Sequence, residues 1–366
     1  MATFSSPSFW ERVGLEEKDK EAYIEAVQGV YLGRKVEEFE HQGYCSFTLI
    51  VHPWGSKLDS SNIEQQENGI DAGTGPLVVQ FRPPQHALSL GITDAATKVY
   101  PDLAPRTFRF PQDKEGHLVG YVMPKLPGEP MSLLQPQTQM PDAEIRKKQV
   151  TLIKDFAASL AQSWHSASEA RRSVRADSPV STPPSNMLPH CSGKVGQVII
   201  PKLHLLARNL PEASLRQRAQ TVLDKIQSLD ADSYPVVLTH GDLIPSNILV
   251  HEHTWRVTGL VDWAEAEYLP FGTCLYGLEH LLGYMPSAAQ FVYYDSASRL
   301  RRLFWECLWE AVPELKARRD EVMTMRDLGV LLWHGFAWDE GKIDRVVDEE
   351  RDESEVVRLR AFLEVE

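Results

Sequence analysis

Apolar positions along the chain follow two periods, and the change falls near residue 124. Before it the apolar runs are short and strand-like. Tyr44–Val51 is β-branched and aromatic with rough alternation, and Leu77–Arg82 is a second run that Pro83-Pro84 stops. His117–Met123 predicts a third strand, and a short helix is predicted before Pro101. Residues 55–75 are polar and glycine-bearing, so they read as a connection. After Pro124 the spacing turns helical. Ile145, Leu152, Ile153, Phe156, Leu160 and Trp164 form one stripe, Leu215, Ala219, Val222, Leu223 and Ile226 a second, and Leu300, Leu303, Phe304, Cys307, Leu308 and Ala311 a third. Residues 166–190, rich in Ser, Pro and Arg, read as a flexible insert. Between 235 and 262 two apolar runs, PVVLTH and NILVHEHTWRVTGLVD, look like hairpin strands. No internal repeat is visible. The pattern predicts an α+β chain, with a small sheet lobe over 1–124 and a larger, mainly helical lobe over 125–366.

Composition narrows the function classes. The 366 residues carry 38 Lys and Arg against 51 Asp and Glu, a formal net charge of −13. A sequence-independent grip on nucleic acid needs a basic surface, so no nucleic-acid partner is expected. Residues 339–366 hold eleven of the acids and five bases, so part of the excess reads as a solvated C-terminal segment. Cys45, Cys191, Cys274 and Cys307 show no paired spacing, which fits isolated thiols in a reducing compartment better than a disulfide framework. Neither a leader-like apolar region nor a run of 18 apolar residues is seen, so the expectation is a cytoplasmic protein without a membrane partner.

The chemistry concentrates in LTHGDLIPSNILV, residues 238–250, followed by GLVDWAEAEYLPFG, residues 259–272. Asp242 and Asn247 are five residues apart, and Asp262 follows fifteen later at the end of an apolar strand. Phosphoryl transfer asks for such a set. A carboxylate orients the acceptor hydroxyl and takes its proton, and hard oxygen ligands hold Mg²⁺. Both must sit on adjacent loops so that acceptor and γ-phosphate come into line. Pro245 would set the turn, and the strand Asn247–Val250 would hold Asn247.

HGDLIPSN with VDW resembles the signature of the aminoglycoside phosphotransferase and choline kinase superfamily, whose protein-kinase relatives carry HRD and DFG at the same spacing. VVQFRPP, GYVMPKLPGEP and AEAEYLPFG are similar to the fungal phosphotransferase-like branch, and together these phrases span roughly 40–285. The resemblance implies a two-lobed, protein-kinase-like fold with an antiparallel N-terminal sheet and ATP between the lobes. It also implies an ATP- and Mg²⁺-dependent O-phosphotransferase acting on a small-molecule hydroxyl. Asp242 would then be the base, His240 the brace of the loop, and Asn247 and Asp262 the Mg²⁺ ligands. Ser46, within Gly43–Phe47, would belong to the turn over the phosphates, and Met123 to the hinge beside adenine. The competing reading is a degenerate relative that binds a nucleotide, ligand or partner without phosphotransfer. A protein kinase is disfavoured, because DFG, APE and an activation segment are missing.

The chain departs from that pattern on the second strand. Where the superfamily carries a phosphate-binding Lys or Arg, this chain has the neutral Gln80. Arg82 shares its face of the strand and is the expected substitute cation, with Asp94 the nearest candidate for an acidic partner. The acid that often follows the DW segment is missing, and Glu279 is the nearest candidate for it. His251 and His253, alternate residues of a short strand, read as surface groups rather than metal ligands. Gly73-Thr-Gly75 opens no helix and is not a dinucleotide loop. Trp305, Trp309, Trp333, Phe336 and Trp338 read mainly as core, with one or two lining an acceptor pocket. Arg299, Arg301 and Arg302 read as a solvated basic face.

Overall fold

A computed structural model describes residues 8–53, 75–111, 117–177, 188–229, 234–339 and 342–365. The chain divides into two units, Met1–Asp94 with Pro105–Leu126, and Ala95–Ala104 with Pro127–Glu366.

The first unit holds helices α1 (Phe9–Arg12) and α2 (Asp19–Val30) and the start of α3 (Leu90–Val99). Its strands are β1 (Val36–Glu38), β2 (Phe47–Val51), β3 (Leu77–Arg82), β4 (Phe108–Arg109) and β5 (Val119–Pro124). They form one antiparallel sheet in the order β1-β2-β3-β5-β4. Register sorts the side chains. Phe47 faces Phe81, Leu49 faces Val79 and Val79 faces Val122, and this face packs with Trp10, Val27 and Phe110 as the core. Trp10 and Phe47 stand 4.9 Å apart, and Tyr23 and Phe81 4.8 Å. The strand period of two sends Thr48, Gln80 and Tyr121 to the opposite face. The edge strands β1 and β4 have three and two residues, too short for a sequence pattern to reveal.

The second unit is mainly helical. In chain order it contains β6 (Glu129–Pro130), α4 (Met131–Leu134), α5 (Ala143–Asp177), α6 (Gly193–Gly196), α7 (Ile199–Asn209), α8 (Ala213–Ser228), β7 (Val236–Thr239), β8 (Ile248–Val250), β9 (Val257–Leu260) and β10 (Glu267–Pro270). There follow α9 (Tyr276–Leu281), β11 (Gly283–Ser287), β12 (Gln290–Tyr293), α10 (Ala297–Ala311), α11 (Arg319–His334) and α12 (Glu353–Leu363). All three expected helical stripes lie on helices, α5, α8 and α10, and the α+β class holds.

Several expectations change. Helix α5 continues to Asp177, so the first part of the stretch read as a flexible insert is helical, because Ser and Arg do not break a helix where no Pro or Gly intervenes. Residues 178–187, with its prolines, lie outside the described residues. The two apolar runs between 235 and 262 are not one hairpin. Strand β8 pairs with β9, whereas β7 pairs with β10, thirty residues away. His251 and His253 lie beyond the end of β8 in the exposed turn, not in the strand, with rings 5.8 Å apart. The acidic C-terminal segment is only partly solvated, since α12 buries Val356, Leu359, Phe362 and Leu363. Arg301 is not on a solvated face. It and Arg326 both pair with the buried Glu279, at 2.7 and 3.1 Å, because only a paired charge is tolerated inside.

Candidate active site

Within the second unit, β7 delivers the chain into the loop His240–Asn247. The turn at Gly241 has φ +77°, and a Cβ there would collide with the carbonyl oxygen of Glu265, so the position demands glycine. Leu243 N–H donates to the buried Tyr276 hydroxyl at 2.9 Å, which anchors the loop to α9. A 3-10 turn over Pro245–Asn247 then leads into β8. Strand β9 brings the chain back to Asp262. Val261 N–H donates to Asn247 O at 3.0 Å, tying the two loops together.

His240 braces both loops. Its Nε2 lies 2.9 Å from Val261 O, an acceptor only, so Nε2 carries the proton. Nδ1 is therefore the acceptor for Asp242 N–H at 3.3 Å. Burial pushes this imidazole down to about 4, so it is neutral at pH 7. The Trp263 ring packs 4.5 Å from it and donates Nε1–H to Leu260 O at 2.8 Å.

Asp242 is half-buried. Its Oδ2 accepts Asn247 Nδ2–H at 2.9 Å, while its Oδ1 is buried without a partner among the described residues. Burial, and next the charge of Asp262, push its carboxyl up to about 7; the Asn247 hydrogen bond opposes the shift. A carboxylate poised there suits a general base near neutral pH. Asp262 is exposed and left-handed, at φ 62° and ψ 66°. Backbone strain of this kind costs about 1–3 kcal/mol and clusters at functional sites.

The donor set fits a hard cation. Asn247 spends its amide N–H on Asp242, to both carbonyl and carboxylate, which leaves its side-chain oxygen for a metal. Asp262, exposed beside it, adds a carboxylate. Among the described residues no group of three His, Cys, Asp or Glu is arranged to hold a metal. Mg²⁺ needs no such group, since it keeps several waters and takes phosphate oxygens.

In the first unit, Ser46, Thr48, Gln80 and Arg82 form a chain of polar groups on the sheet face opposite the core. Ser46 Oγ and Thr48 Oγ1 lie 3.3 Å apart, Gln80 Nε2–H donates to Thr48 Oγ1 at 3.4 Å, and Arg82 Nε–H donates to Gln80 Oε1 at 3.3 Å. Arg82 is only 2% exposed, so it lies along the strand instead of reaching out past Pro83. Met123 is buried on the same face, opposite Val78. Gln42 closes the turn before β2 through Thr48 N–H at 2.8 Å. Asp94 is exposed on α3. Glu279 is committed to Arg301 and Arg326, and its 2% side-chain exposure does not suit a metal ligand. Thr48 and Tyr276 carry no sequence motif, and only the strand register and the loop contact reveal them.

A model of the phosphotransferase enzyme family, the aminoglycoside phosphotransferase group, matches residues 62–273, more than half of the chain and the whole His240–Asp262 region. The chain belongs to this family. Solved structures similar to it include a macrolide 2'-phosphotransferase from Brachybacterium faecium, at 17% identity over 86% of this chain and 92% of that one, with a TM-score of 0.47. A thermostable mutant of aminoglycoside phosphotransferase APH(4)-Ia with AMP-PNP and hygromycin B is 14% identical over 93% and 97%, with a TM-score of 0.49. An amicoumacin kinase with AMP-PNP and Ca²⁺ is 12% identical over 95% and 94%, with a TM-score of 0.43. No curated protein sequence matches. Among the described residues of this phosphotransferase-family chain, no helix is long and apolar enough to cross a membrane.

Proposed function

We propose that the protein is an ATP- and Mg²⁺-dependent O-phosphotransferase acting on a hydroxyl of a small molecule. The observation that carries this reading is the state of Asp242: one oxygen held by Asn247, the other buried without a partner, and a carboxyl raised to about 7 beside Asp262. Asp242 orients the acceptor hydroxyl and takes its proton. Asn247 and Asp262 hold Mg²⁺, which would neutralise phosphate charge when bound. His240 is a positioning residue, neutral and bonded to both loops. Ser46, Thr48 and Gln80 supply hydroxyl and amide groups for the triphosphate, with the positive charge of Arg82 held behind Gln80, and Met123 borders adenine. Asp94 is the proposed acidic partner of Arg82. The phrases VVQFRPP and GYVMPKLPGEP support the fungal phosphotransferase-like branch, and four cysteines that form no disulfide suit a reducing cytoplasm.

An acceptor screen read as Mg²⁺-dependent ADP release tests the reading. With an acceptor in hand, Asp242→Asn is expected to lower turnover by roughly 10²–10⁴-fold while ATP still binds. Parental turnover in that variant would remove Asp242 from the role of base.

A further inference from the structure

A second charged arrangement follows Asp262. Glu265 ends the 3-10 turn Trp263–Glu265, and its backbone carbonyl lies against Gly241, the residue before Asp242. Its carboxylate is mostly buried and is among the charges that act on Asp242. Lys194 Nζ–H donates to this carboxylate, at 3.3 and 3.5 Å from its two oxygens. The same Nζ lies 5.9 Å from the centroid of the Trp338 ring, which is 40% exposed. A cation, an acid and an indole from three separate chain segments therefore meet beside the Asp242 loop.

The backbone around Lys194 is anchored on both sides. Ser192 N–H donates to Tyr268 O at 3.0 Å, and the Glu267 carboxylate accepts Val195 N–H at 3.1 Å and Gly196 N–H at 2.9 Å. Gly193 has φ +97°, and a Cβ there would collide with the Glu267 carboxylate. These contacts aim Lys194 at Glu265.

We infer that Lys194 is a specificity residue which occupies an acid beside the Asp242 loop, so that the acceptor is a neutral or anionic hydroxylated compound with a flat ring face and not a polycation. The inference rests on the reading of Asp242 as the base. A cationic acceptor seeking Glu265 must displace an ammonium already held in the same chain. An acceptor rich in oxygen instead meets a lysine with N–H donors beyond those given to Glu265. The exposed Trp338 face suits a planar ring.

Isothermal titration with three probes tests this: kanamycin A as the polycation, 4-nitrophenyl β-D-glucoside as the neutral ring compound, and 4-nitrophenyl β-D-glucuronide as its anionic counterpart. The native protein is expected to bind both aryl glycosides at least about tenfold more tightly than kanamycin A. Lys194→Gln should weaken the glucuronide and strengthen kanamycin A, each by about tenfold. Trp338→Ala should weaken both aryl glycosides alike. Kanamycin A binding the native protein as tightly as the glycosides, an order of affinities unchanged by Lys194→Gln, or no binding of either glycoside overturns the inference. ADP release is measured separately with the same probes and variants. The expected binding order without phosphate transfer would sink the phosphotransfer reading and leave the charge preference standing, whereas transfer to kanamycin A in preference to the glycosides would do the reverse.

Discussion

Asn247 donates its side-chain amide to both the backbone carbonyl and the carboxylate of Asp242, each at 2.9 Å. The five-residue spacing of the motif thus closes into a small ring, and each residue orients the other. The amide holds one carboxylate oxygen, and the other is buried without a partner among the described residues. The same two bonds turn the amide oxygen away from Asp242.

Asp242 sets a pH dependence. Its carboxyl is raised to about 7 by burial and by the Asp262 charge, so in the free enzyme it becomes increasingly protonated as pH falls through that value. A protonated carboxyl cannot accept the acceptor's proton, so kcat/KM is expected to fall with pH on the acid side, with a midpoint near 7. The sign for stability is opposite. The native state holds a proton that the unfolded chain releases near its ordinary 3.8, so the stabilisation from protonated Asp242 is complete below that value and is lost as pH rises to about 7. A pH–rate profile checks the first statement, and carboxyl carbon NMR of labelled aspartate checks the second. A carboxyl titrating near 4 in the free protein would contradict both.

Gly241→Ala is expected to destabilise the protein by more than about 1 kcal/mol, because φ is +77° and the added methyl meets the Glu265 carbonyl. Thermal unfolding measures it, and an unchanged Tm would mean that the loop adopts another turn.

Glu279→Ala should destabilise the chain by about 3–5 kcal/mol, since it leaves Arg301 and Arg326 facing a buried gap. Mg²⁺-dependent ATP binding should survive wherever the variant is folded. Loss of the Mg²⁺ effect in a folded Glu279→Ala protein would give this residue a part in metal binding.

What could be read from the sequence was local. Strand β3 occurs at Leu77–Arg82 as read, because a β-branched run meets Pro83-Pro84. The spacing of Asp242, Asn247 and Asp262 was visible for the same reason, since one loop and one hairpin carry all three. Long-range pairing was hidden. Nothing near Val236–Thr239 announces β10 as its partner, and nothing near Lys194 announces Glu265 or Trp338. Arg82 shows the limit most clearly. Its place on the same face as Gln80 follows from strand period, but its burial against Gln80 depends on the fold around it. The helix through Asp177 is masked by composition, because Ser and Arg richness resembles a loop although no Pro or Gly breaks the helix before Pro179.

In the proposed function, Asp262 and Asn247 hold Mg²⁺ for ATP. Asp262→Gly removes the carboxylate while permitting the left-handed backbone at φ 62°, so it separates ligand loss from strain. Isothermal titration of ATP, with Mg²⁺ and with chelator, is the direct measurement. Mg²⁺ is expected to tighten ATP binding to the native protein and to have little effect on Asp262→Gly. Equal tightening in both proteins, or no ATP binding by the native chain, would contradict it.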